Sequence, residues 1–179
     1  MTTTPTRPTG LRLAAGVLTG ILALYITLVA FGNITDFGTN QSYVRHVLSM
    51  DTTFKDGDLK WRAVTSTALE DAAYVLIIVW ESVAALLLIW GTSLWARGRD
   101  DSARRWSTYG LLMLMLLFGG GFIAIGGEWF AMWQSESWNG LEAATRIFLI
   151  SGVALIVNQL PARQPRTETE TGGGDGDGR

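Results

Sequence analysis

Three charged side chains stand inside otherwise apolar stretches: Glu81 in "VLIIVWESVAALLLIW", Glu128 in "GGEWFAMWQS" and Arg146 in "LEAATRIFLI". Two carboxylates and one guanidinium in apolar surroundings have few uses. They can form a buried ion pair that sets helix register, bind and release a proton or cation, or hold the polar part of a ligand. Other chemistry is narrowly bounded. The chain has no cysteine, which excludes disulfides, thiolate metal sites and a cysteine nucleophile. Its one histidine, His46, excludes bis-histidine haem ligation within one chain and a His-rich zinc site. Neither a metal nor a cofactor is expected. A net charge of −2 makes no case for nucleic-acid binding.

The elements that must position these charges are apolar blocks. Of the 179 residues 48% are hydrophobic, and the mean hydropathy is +0.24. The excess lies in four runs, 13–32, 72–96, 109–130 and 141–160, each long enough to cross a hydrocarbon core of about 30 Å as a helix. The last holds Arg146 and Asn158 and stops at Pro161. The first follows Arg7 and Arg12 as a signal peptide would. It exceeds the usual signal core and lacks an A-x-A site, so it is read as a retained span. The fold class that follows is all-α: a polytopic membrane protein, a four-helix bundle with a partly helical outer loop.

Arginines near the span ends give the orientation. Arg7 and Arg12 precede the first span, Arg97, Arg99, Arg104 and Arg105 lie in the connection 97–108, and Arg163 and Arg166 follow the fourth. The arm 1–12, the loop 97–108 and the tail 161–179 are therefore expected in the cytoplasm, and the loops 33–71 and 131–140 outside. The tail, rich in Gly, Thr and acids, is expected to be disordered. Trp95, Trp106 and Tyr109 are expected at the inner interface, and Tyr74, Trp129, Trp133 and Trp138 at the outer one. In the long outer loop, Val44, Val47 and Leu48 recur at helical spacing and predict a short helix over 41–50. "KDGD" at 55–58 reads as a turn, and Thr65, Ser66 or Thr67 ahead of Glu70 and Asp71 reads as a helix start.

Small residues form stripes on which helices could pack: Gly16 and Gly20 with Ala15, Thr19, Ala23 and Thr27; Gly120, Ala124 and Gly127; and Ala144, Ile147, Ser151, Ala154 and Asn158. Glu81 and Glu128 fall near such faces. Glu81 lies eight residues past Ala73, roughly 12 Å below the outer boundary. A carboxylate at that depth needs a partner, and Arg146 is the one basic residue inside a proposed span. An outward-facing polar cluster of Glu81, Glu128 and Arg146 is therefore expected, serving as a register-setting pair or as a proton, ion or ligand site; the remaining alternative is that Glu128 is simply solvated at the interface.

The segments "NITDFGTNQSYVRHVLSMDTTF" (33–54), "WRAVTS" (61–66) and "GGEWFAMWQSESWNG" (126–140) resemble the signature stretches of a bacterial family of predicted small integral membrane proteins, a domain of unknown function. The resemblance covers residues 13–160. It implies four helices in the bacterial inner membrane and carries no activity. Its motif residues are Asn33, Asp36, Arg45, His46, Asp51, Trp61, Glu128, Trp129, Trp133 and Trp138, all at the outer face by the topology above. Three functions compete. The first is a non-enzymatic accessory or assembly component of an envelope complex. The second is a small oligomeric proton- or ion-coupled transporter using Glu81. The third is a membrane enzyme using Glu128, His46 and Asp51. The expected partners are the lipid bilayer, other membrane proteins, or further copies through the glycine-rich faces.

Overall fold

Apolar length sets the architecture. The computed structural model describes residues 9–54 and 57–160. Among these, four helices are long and apolar enough to cross a membrane. They are α1 (Thr9–Thr35), α3 (Thr67–Ala96), α4 (Asp100–Met115) continued without a break by a π-helical segment (Leu116–Trp129), and α5 (Leu141–Gln159). A fifth, α2 (Phe37–Ser49), lies in the long loop between the first two spans. The expected arm and tail lie largely outside the described residues, as do two residues of the "KDGD" turn.

The spans follow one another around a bundle, α1 against α3, α3 against α4, α4 and the π segment against α5, and α5 back against α1. The core is made of small and branched side chains, among them Ala23, Ile26, Ala84, Leu88, Leu111, Leu114, Ala144 and Ala154. Between α1 and α3 the close approach uses Gly16, whose added Cβ would lie 3.3 Å from Trp95, and Gly20, at 3.3 Å from Thr92. These glycines are thus used inside the chain. Between α3 and α4 the approach is closer still: a Cβ on Gly91 would lie 3.0 Å from the backbone nitrogen of Ser107. The α5 stripe reads out as expected, with Ala144, Ile147, Ser151, Ala154 and Asn158 all buried.

Several expectations are corrected. The connection 97–108 is mostly helix: α4 begins at Asp100, and Asp100 pairs with Arg12 across the terminal end of the bundle (3.1 Å). Two aromatics expected at the interfaces are interior. Trp95 is 4% exposed and its indole N–H donates to the Ser107 hydroxyl (3.2 Å), and Tyr74 is 1% exposed. The stripe Gly120, Ala124, Gly127 does not form one packed face, since Ala124 is exposed. The cause is the change from α to π bonding at Leu116. The buried pairs become Leu117–Phe118 and Gly126–Gly127, nine residues apart, which is two turns of a helix bonded to i−5 rather than i−4.

The helix expected over 41–50 is present as α2. Val44 is buried against Tyr74 and Ile78, and Val47 and Leu48 pack beside Met50, Phe130 and Ala131. Met50 ends α2 in the left-handed conformation (φ 52°), and Ala131 turns the chain out of the π segment the same way (φ 51°). Neither is glycine, so the backbone there is held by the packing of these two residues into one buried cluster. Ser66 stands at the N-cap of α3, although its hydroxyl makes no capping bond.

Candidate functional site

Asn33 is the junction on which the interior polar site is built. It lies in the last turn of α1, where backbone carbonyls have no partner within the helix. Its carbonyl accepts from the Tyr74 hydroxyl (3.2 Å) on α3. Its side-chain oxygen accepts from the Asn40 amide (2.6 Å) on α2, and its own amide donates to Glu81 Oε2 (2.7 Å) on α3. One side chain thus ties three helices together.

Glu81 is 2% exposed and faces inward, as its position on the apolar helix required. α1 and α3 run antiparallel, and Glu81 comes level with Asn33 in the last turn of α1, while α3 projects beyond α1. Glu81 lines a cavity of about 240 Å³ between the helices, walled also by Tyr25, Asn33, Asn40, Tyr74 and Ala144.

The expected cluster of Glu81, Glu128 and Arg146 is not formed. Arg146 pairs instead with Glu142, one turn earlier on α5, at 3.0 Å, with both side chains exposed. Ala143, Ala144 and Ile147 are the α5 residues that line the cavity, and Arg146 is not among them. Glu128 is exposed and bonds to neither residue. It was expected one α turn after Ala124, but in the π register Gly126 and Gly127 take the inward face and Glu128 and Trp129 point out. Glu81 has no cation within ion-pair distance among the described residues, and its hydrogen-bond partner is a neutral amide.

The loop-end motif residues form separate ties rather than one site. Arg45 grips Asp71 through two nitrogens (2.8 and 3.0 Å), with Gln41 also donating to Asp71 (2.8 Å) and buried Glu70 4.0 Å away. This docks α2 on the first turn of α3. His46 Nδ1 lies 2.7 Å from Asp51 Oδ2, and its ring stacks on Trp138 at 4.5 Å. Asp36 accepts from Thr39 (2.8 Å). Trp61 meets Trp129 edge to face, with the Arg62 guanidinium over both rings, and Trp133 meets Phe54. Trp61, Trp129 and Trp133 are exposed.

Tyr43 and Asn40 were not singled out from sequence, Tyr74 was read only as an interfacial aromatic, and Asp71 only as part of a helix start. Asn40 follows Asn33 by seven residues, but α1 ends at Thr35 and α2 starts at Phe37, so the contact depends on how the two helices join. Tyr43 on α2 lies against Phe122 and Trp138, and its hydroxyl donates to the Met132 sulfur (2.8 Å). Burial pushes that hydroxyl up to about 12, opposed in part by the Gly140 backbone. Gly140 has to be small here, because an added Cβ would collide with the Tyr43 hydroxyl.

Among the described residues, no three His, Cys, Asp or Glu side chains gather as they would around a metal ion. The arrangement is one buried carboxyl, two amides and a phenol hydroxyl facing a cavity that opens to the surface beside Tyr25 and Asn40, beneath a helix pinned by an arginine. No curated protein and no solved structure matches the chain. The signature segments, the four apolar spans and a family match over residues 11–161 agree, and the chain belongs to the family described as predicted small integral membrane protein (DUF2165).

Proposed function

We propose that this is a small membrane-embedded binding protein of the carrier type, with Glu81 as its working group. The cavity between the helices takes up a ligand that presents a cation or a hydrogen-bond donor to that carboxyl. The observation that carries this reading is Glu81 itself, 2% exposed on a cavity wall and bonded to an amide rather than to a cation. A register-setting ion pair would need Arg146, which is engaged elsewhere. A carboxyl in such a place costs several kcal/mol unless something compensates it, which in membrane proteins is the mark of an ion, proton or ligand path.

The cavity sits at the loop end. With the arginine bias placing both termini in the cytoplasm of a bacterial cell, it belongs to the outward half of the inner membrane. The competing proposal is a non-enzymatic accessory or assembly component of a larger envelope complex, for which Arg45, Trp61 and Trp133 would be loop-end contacts. Binding separates the two. The protein in lipid nanodiscs is melted with increasing butylammonium, a small probe with a cationic donor and some apolar volume. Wild type should gain melting temperature with saturation, as linkage requires. Glu81→Gln, which keeps an oxygen for Asn33, should fold and show no gain. An equal response of both proteins, or none in wild type, defeats the reading.

A further inference from the structure

α4 packs along α3 as far as Met115, whereas the π segment leaves α3 and packs on α5. The opening left between α3 and the π segment is roofed by α2 and holds a second cavity, of about 220 Å³. No charged side chain lines it: its walls include Leu48, Ala73, Leu117, Phe130 and Met132. Leu76 and Ile125 also line it while remaining 64% and 55% exposed, so it opens sideways onto the surface that faces lipid. Glycines make the room. A Cβ on Gly121 would meet only Leu117, at 3.7 Å, and one on Gly126 would meet nothing nearer than 3.5 Å.

The apolar cavity and the Glu81 cavity share a wall made of Tyr43, Val44, Ile77 and Phe122. The partition is the ring pair Tyr43–Phe122, whose centroids are 6.4 Å apart. Tyr43 is held there by its bond to the Met132 sulfur, so joining the two cavities requires its ring to leave that bond and turn about its two side-chain torsions. One side of the partition offers a dry slot reached from the bilayer. The other offers a carboxyl and two amides.

We propose that the two cavities form one site for a single-chain membrane amphiphile. Its hydrocarbon chain enters between Leu76 and Ile125 and lies against Gly121 and Gly126. Its head, an ammonium or a hydroxyl, passes the Tyr43–Phe122 pair and donates to Glu81 and the Asn33–Asn40 amides. This rests on the Glu81 reading and adds the ligand class and its route. A bulk phospholipid would fill the slot with a chain, but the phosphate between that chain and its head group would be repelled by the Glu81 carboxylate.

The test uses the full protein in phosphatidylcholine nanodiscs and a dodecylamine carrying a diazirine at mid-chain. After irradiation, labelled residues are mapped by mass spectrometry. Labels should concentrate at 44–48, 73–77 and 117–126 and be competed by dodecylammonium. Gly121→Leu, whose Cβ fits and whose remaining atoms enter the slot, should lower that labelling at least about tenfold, the factor equal to 1.4 kcal/mol. The same variant should keep the butylammonium response, which shows that it is folded. Labels spread over the lipid-facing residues of all four spans would overturn the amphiphile site. So would equal labelling by a diazirine phosphatidylcholine, the outcome for a slot holding bulk lipid only. Either result with an intact, Glu81-dependent butylammonium response leaves the simpler binding reading standing, whereas loss of that response as well removes both.

Discussion

Removing the Glu81 carboxylate tests directly which residue it depends on. Glu81 and Asn33 share a 2.7 Å hydrogen bond between helices, and Asn33 makes two further bonds, to Asn40 on α2 and Tyr74 on α3. Interhelical hydrogen bonds in membrane proteins contribute about 0.6 kcal/mol on average and up to about 1.7. With both side chains buried, the coupling here should fall toward the upper part of that range, about 1–1.5 kcal/mol. Glu81→Leu leaves the Asn33 amide without its acceptor and should destabilise by about 1–3 kcal/mol. Glu81→Gln retains an oxygen and should cost less than about 1 kcal/mol. Arg146→Gln breaks only an exposed pair one turn apart, worth a few tenths of a kcal/mol after screening, roughly 0.3. The assay is reversible unfolding in mixed micelles by added dodecyl sulfate, run as two double-mutant cycles. Glu81→Leu with Asn33→Leu should be less destabilising than the sum of the singles, and Glu81→Leu with Arg146→Gln should be additive. If Arg146→Gln instead rescued Glu81→Leu while Asn33→Leu did not, Arg146 would be the partner and the geometry described above would be wrong.

Alkaline titration tests α2 docking. The Tyr43 hydroxyl is neutral below its pKa, and burial raises the folded value from 10.0 to about 12. The folded state therefore holds this proton more tightly than the unfolded chain. The resulting stabilisation is whole below about pH 10 and is lost as pH rises toward 12. Tyr43→Phe should flatten the loss of stability across that window, and an unchanged slope would show that Tyr43 is not its source. Orientation is checked with cysteines placed singly at Asp101 and Ser137, which lie at opposite ends of the bundle. An impermeant thiol reagent on intact cells should reach Ser137→Cys and spare Asp101→Cys; reaction of both, or the reverse, would refute the arginine-based topology.

Helix identity and the inward face of most helices were legible in the residues. Apolar length alone names the spans, because a backbone in hydrocarbon has to satisfy its own hydrogen bonds. The spacing of Val44, Val47 and Leu48 names α2, and the small stripe from Ala144 to Asn158 names the packed face of α5. Glu81 was recognisable as interior because an acid cannot be left against lipid. Each of these properties is local, repeating at a period that a single helix carries within itself.

Partner choice was not local, and there the sequence was insufficient. Which residue meets Glu81 depends on how far α3 projects past α1 and on the rotation of α5, and neither quantity is written in any one helix. Arg146 was the only cation in a span, yet the rotation that buries Ala144 and Ile147 turns it outward. Asn33 could be placed at the outer face but not against Glu81, since the contact of these two residues, 48 apart in the chain, is set by the axial offset of their helices. The third span shows the same limit within one element. Its glycines fit an α-helical stripe on paper, but the segment packs on α5 with hydrogen bonds that span five residues instead of four, which leaves Glu128 at the surface. Local spacing decides which residues a helix can bury; the offsets and rotations that bring those residues together are properties of the packed bundle as a whole.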